Sequence, residues 1–161
     1  MDASASEQDT GRQESEKERL DRNLGELLQE LRVALPGVQV LFAFLLVVPF
    51  NQRFGEITSF QQTVYFITLL LATSATACLI APTAHHRVLF REGDKRRIVF
   101  TATKLAVAGL ALLAAAMTGA VILVTDFLYQ STTVVIVAVA VSLLFTVLWF
   151  GWPVRRLLDE D

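Results

Sequence analysis

Few residues in this chain have chemistry to offer, and those few lie between or inside long apolar runs. His85, His86 and Arg87 stand in a basic connector, residues 83–97, that also carries Arg91, Lys95, Arg96 and Arg97 against only Glu92 and Asp94. Imidazoles titrate near neutrality and ligate metals. Successive helical positions point about 100° apart, however, so the two rings do not easily share one ion. No Cys and no close Asp or Glu completes a tetrahedral set, so no metal site is expected. The pair reads instead as interfacial, beside lipid phosphates. Lys104 is the one ionisable residue clearly inside an apolar run, which makes it a functional candidate by default. One to two turns from the end of that run, its ammonium can also snorkel to the headgroups and meet lipid phosphate there. Gln39, Thr68, Thr73 and Thr76 are polar groups at depth that could line a pathway shared between subunits. The plainer reading is that hydroxyls bond the carbonyls of their own helix. Asp126 closes an apolar run and is expected to be hydrated. There is no phosphate-binding glycine loop, dinucleotide fingerprint, HExxH or nucleophile elbow. The chain is therefore expected to be neither an enzyme nor a holder of any cofactor.

The elements that would position these groups follow from the distribution of apolar residues. Of 161 residues 53% are hydrophobic, concentrated after Leu35, whereas the first 32 residues hold nine acidic and five basic side chains. The net charge of −2 thus averages two unlike regions and says little about partners. Residues 1–15 are nearly without apolar side chains, which predicts a disordered acidic tail and no cleavable signal peptide. The lone Cys78 excludes an internal disulfide and reads as a small packing residue.

In residues 16–35, Leu20, Leu24, Leu27, Leu28, Leu31 and Leu35 share one helical face, which predicts an amphipathic helix. Its mixed charge argues against a polybasic anchor. It would lie on the membrane surface or dock on the bundle, with a helix joining subunits as the competing reading. Four apolar spans follow, at about 36–50, 63–81, 98–125 and 132–152, ahead of a tail at 154–161. Together residues 36–153 form a transmembrane domain. Pro36 would start the first span or kink a longer helix, and Pro82 would end the second. Ala111, Ala115 and Gly119 recur every four residues, the spacing by which helix backbones approach closely in lipid, and mark the third span as the centre of packing. The fourth span reads as the most lipid-exposed.

Orientation follows from basic residues. Leaving out Lys104, twelve lie in the N-terminal segment, the connector and the C-terminus, and one, Arg53, in the two opposite loops. Such a bias places both termini in the cytoplasm. Trp149 and Trp152 at one face, with Tyr65 and Tyr129 at the other, fit aromatic belts. The fold class expected is an all-α integral membrane protein: four transmembrane helices preceded by a cytoplasmic amphipathic helix. Its basic face would attract anionic lipid of the inner leaflet or a partner in place of nucleic acid, and its small-residue face a homo-oligomer or another membrane protein.

The stretches ELRVALPGVQVLFAFLL, VPFNQRF, TVYFITLLLA, APTAHHRVLFR and GLALLAAAMTGAVILVTD, which begin at Glu30, Val48, Thr63, Ala81 and Gly109, carry a resemblance. Over most of the apolar region the chain resembles small bacterial four-helix membrane proteins of a domain-of-unknown-function family, some of which bear the label sodium:proton antiporter. The resemblance implies a bacterial inner-membrane location and four helices. In similar chains position 104 is commonly Arg, and Tyr often stands where His85 does. The antiporter label would call for midplane carboxylates on broken helices, and the second, third and fourth spans have none. A small oligomeric channel or a cation- or proton-coupled transporter is accordingly the alternative, and a non-catalytic membrane protein the first reading.

Overall fold

The computed structural model describes residues 16–89, 95–129 and 132–151, with side chains at 18–84, 97–129 and 132–149. Within them four long helices run up and down: α1 Glu16–Val47, α2 Ser59–Leu89, α3 Lys95–Leu128 and α4 Thr132–Phe145, which continues as a wider π-type turn at Thr146–Gly151. All four are long and apolar enough to cross a membrane, by length and composition.

Of the two expectations for Pro36, the start of a span or a position within a longer helix, the first helix shows the second. The amphipathic segment 16–35 and the apolar segment 36–50 are one helix as far as Val47, with Pro36 inside it. The reason is the buried stripe. Leu24, Leu31, Val38 and Leu45 are all buried and recur every seven residues, straight past Pro36. A seven-residue repeat keeps one helical seam against a neighbour. Breaking the helix at Pro36 would uncouple its two halves from that seam. The proline removes one hydrogen bond, to the carbonyl of Arg32, and burial on both sides of it keeps the helix intact.

The same device explains the other boundaries. On α2 the buried positions are Tyr65, Thr68, Ala72, Ala75, Leu79 and Pro82, spaced alternately three and four apart. Pro82 is thus the last buried position of the stripe among the described side chains and not the end of the helix, which runs on to Leu89. On α3 Ala102, Ala106, Gly109, Leu113 and Ala116, buried positions that alternate four and three apart, form the seam, with Ala114, Gly119 and Thr125 buried beside it. Alternation of three and four on both partners is the pattern of left-handed, nearly antiparallel helix packing. The third helix also begins earlier and ends later than expected, at Lys95 and Leu128.

Two apolar layers cross the three packed helices. One unites Leu31 and Val38 of α1, Ala75 and Leu79 of α2, and Ala106 and Leu113 of α3. Leu27 and Leu35 pack against it, as does Trp149 at the far end of α4. The leucine face of residues 16–35 is therefore docked on α2 and α3. The other layer unites Leu45, Tyr65, Ala72 and Ala116. These layers fix two ends of the bundle: a connector end, where α2 stops and α3 starts, and a loop end, where α1 meets α2 and α3 meets α4. By contrast α4 leans on α3 with Val134 as its one buried side chain among the described residues. Its exposed face is Val, Ile and Leu.

Candidate functional site

At the connector end Lys104 is exposed on α3, and its Nζ lies 4.3 Å from the centroid of the Phe100 ring. The ring is one turn earlier in the helix, because helical side chains lean toward their own N-terminus. The ammonium is thus drawn toward the connector end and held over an aromatic face, an interaction of about 0.5–2 kcal/mol. Arg97, near the start of α3, is exposed. His85, His86 and Arg87 lie in the last turns of α2, and Arg96 in the first turn of α3. Arg91 falls outside the described residues.

At mid-bundle the polar candidates part company. Thr68 is buried to 1% exposure under Gly119 of α3, whereas Gln39 and Thr73 are exposed and Thr76 is half-buried. Each threonine hydroxyl donates to a carbonyl of its own helix: Thr68 to Val64 at 2.7 Å, Thr73 to Leu69 and Thr76 to Ala72 at 2.8 Å. Within one chain these residues do not form a shared polar path.

Within one chain the small-residue stripe divides in the same way. Gly119 is buried, and a Cβ there would run into the Thr68 hydroxyl, but Ala111 and Ala115 are exposed. They line a groove of about 490 Å³ between α2, α3 and α4, together with Ser142, Phe145 and Thr146. Besides Gly119, α3 approaches α2 closely at Gly109, where a Cβ would meet Leu79 at 2.8 Å and Cys78 at 3.2 Å. A strict four-residue repeat turns 40° per step about the helix, so it cannot follow the seam that the alternation of four and three follows. Cys78, half-buried beside Gly109, is a packing residue.

The loop end holds the features that the sequence reading missed. Thr58 and Gln61 form a capping box: the Thr58 N–H donates to Gln61 Oε1 at 3.0 Å and the Gln61 N–H to Thr58 Oγ1 at 3.2 Å. The signal for it was present, a threonine followed three residues later by glutamine ahead of an apolar run. It is why α2 starts at Ser59 and not at Thr63. The same Gln61 uses its amide Nε2 to donate to Asp126 Oδ2 at 2.9 Å. Asp126 is accordingly half-buried and tied across to α2, where hydration was expected. Tyr65, expected at an aromatic belt, is buried. Its hydroxyl donates to the Leu45 carbonyl at 2.8 Å, and its ring meets Phe54 edge-on at 5.3 Å. The partner is set by Pro49, which lies four residues after Leu45 and has no N–H to offer that carbonyl.

The described residues are helical apart from short turns, and four of their helices are long and apolar enough to cross a membrane, consistent with the class of multi-pass membrane proteins. The chain belongs to a family of unknown function (DUF6328), whose model matches residues 13–153. No match was found among curated proteins or among solved structures.

Proposed function

We propose that the chain is a non-catalytic integral membrane protein of the bacterial inner membrane, with both termini cytoplasmic. It crosses the bilayer four times and associates as a homo-oligomer or with another membrane protein. Its basic cytoplasmic face engages the anionic inner leaflet or a partner. The observation that carries this reading is the posture of Lys104, turned over Phe100 toward the end where the connector's cations cluster. That is the direction in which a snorkelling ammonium reaches lipid phosphate. The bias of twelve basic residues against one supports the same orientation.

Native mass spectrometry of the full chain with bound phosphatidylglycerol tests it. Lys104→Arg keeps charge and phosphate affinity and should retain the lipid as wild type does. Lys104→Gln should lower retention about fivefold, since a charge near an anionic surface is worth about 1 kcal/mol, and Lys104→Glu should lower it further. Retention unchanged in Lys104→Glu would sink the reading.

Gln39 and Thr73, exposed on the apolar part of the bundle, favour one alternative, a small oligomeric channel or cation-coupled transporter whose path closes only on assembly. Ion flux into liposomes separates the two. A selective flux abolished by Gln39→Leu or Thr73→Val would replace the first reading with the second.

A further inference from the structure

At the loop end an apolar groove of about 300 Å³ runs between α1 and α3, walled by Phe44 and Val48 on one side and Ala120, Val124 and Phe127 on the other, with Tyr65 of α2 behind. The Tyr65 hydroxyl is already committed to the Leu45 carbonyl, so what the ring presents there is apolar. The groove does not end blindly. A second recess, lined by Val48, Asn51, Arg53, Phe54, Ile57 and Phe127, shares four of those residues with it and leads to Arg53. Arg53 is exposed, and its guanidinium has no hydrogen bond or ion pair among the described residues. The neighbouring Asn51 side chain accepts from the Arg53 backbone N–H and leaves the guanidinium alone. A slot fit for a hydrocarbon chain, opening onto a planar cation that binds phosphate in a fork, has the two-part chemistry of a phospholipid.

The headgroup follows from charge. Among the described residues this end carries Arg53 against Glu56 and Asp126, so an anionic headgroup meets more repulsion than attraction. Glu56 follows Arg53 by three positions in the short 3₁₀ helix Gln52–Glu56, where such positions eclipse one another, yet the two form no ion pair. A neighbouring cation and anion left unpaired match a phosphate and an ammonium on one headgroup. We propose that this groove holds one zwitterionic aminophospholipid, its chain between α1 and α3 and its phosphodiester on Arg53. That the lipid comes from the outer leaflet rests on the orientation proposed above; the site itself does not.

The test is native mass spectrometry of full-length protein in detergent, titrated with phosphatidylethanolamine and phosphatidylglycerol in parallel, so leaflet and orientation do not enter. Arg53→Gln should lower phosphatidylethanolamine retention about tenfold, the worth of one charge-assisted hydrogen bond, with phosphatidylglycerol retention at Lys104 unchanged. Arg53→Lys should keep most of it. Val124→Trp fills the groove from an exposed position and should lower it as much, with thermal unfolding unchanged. Loss in neither variant, or in only one, overturns the proposal, because chain and phosphate are then not held together. So does equal binding of glycerophosphoethanolamine, which has the headgroup and no chains. A silent Lys104 series beside a responsive Arg53 series would defeat the cytoplasmic-face reading and leave this one standing.

Discussion

Tyr65 shows how one hydroxyl can decide the end of a helix. Pro49 leaves the Leu45 carbonyl without its helical donor, and Tyr65 supplies one from the neighbouring helix. Tyr65→Phe keeps the ring, and its contact with Phe54, but strands that carbonyl in an apolar layer. It should destabilise the protein by about 1–3 kcal/mol, the usual cost of an unsatisfied buried acceptor, read as a lower midpoint of thermal unfolding in detergent. An unchanged midpoint would mean that water reaches the carbonyl. Half of this arrangement was legible in the sequence: a proline four residues after a leucine always frees a carbonyl. The other half was not, since nothing local to Tyr65 says which acceptor it meets twenty residues upstream. Gln61 is the opposite case, for its capping partner is only three residues away and the motif stands in the sequence. Its second bond, to Asp126, spans sixty-five residues and needed the fold.

Among the elements, the third helix separates what spacing suggests from what packing uses. Small residues every four positions drew attention to Ala111, Ala115 and Gly119, but only Gly119 lies under a neighbour, and the buried seam runs through Ala106, Gly109, Leu113 and Ala116. Gly119→Ala should therefore force Thr68 off its rotamer and its bond to Val64, at about 1–3 kcal/mol. Thr68→Ala introduced beside it should recover most of the loss, the coupling expected of residues in direct contact. Ala115→Leu, by contrast, extends into the groove beside α4 and should leave unfolding of the monomer nearly unchanged. Equal midpoints for Gly119→Ala and Ala115→Leu would contradict this account of the seam. Pro82 misled the reading of a boundary, and Pro36 left one open, for a related reason. Pro36 and Pro82 weaken a helix locally, and local rules end helices there. The buried stripe continues past Pro36 and takes in Pro82 itself, which outweighs the lost hydrogen bonds, and that stripe becomes visible only when the partner helix is in place.

For the whole molecule, the number of long apolar helices was legible from hydropathy alone, because four runs of this length have few alternatives. How they pack was legible only in part: the leucine face announced that residues 16–35 bury something, without saying what. Side of the membrane is the quantity to measure next. In a Cys78→Ala background, Gly55→Cys and Gly25→Cys both stand in open space. An impermeant thiol reagent added to intact cells should label position 55 and spare position 25 until the membrane is opened. The reverse pattern would invert the proposed orientation and carry twelve basic residues to the wrong face. The unbroken course of α1 has a consequence for ionic strength as well. Glu16 lies fifteen residues before Leu31, so the helix extends about 22 Å along its axis beyond the layer that Leu31 shares with Leu79 and Ala106. Lys104 is only two residues from Ala106, and electrostatic screening at physiological salt sets in over about 8 Å. If the Lys104 ammonium, drawn back to the level of Phe100, marks the plane of the phosphates, Glu26 stands near that plane and Arg22 within a screening length of it, and only the first turn of α1, from Glu16, reaches beyond the surface potential of the bilayer. On the orientation proposed above, whatever meets that first turn meets it on terms set by the salt of the cytoplasm and not by the lipids beneath it.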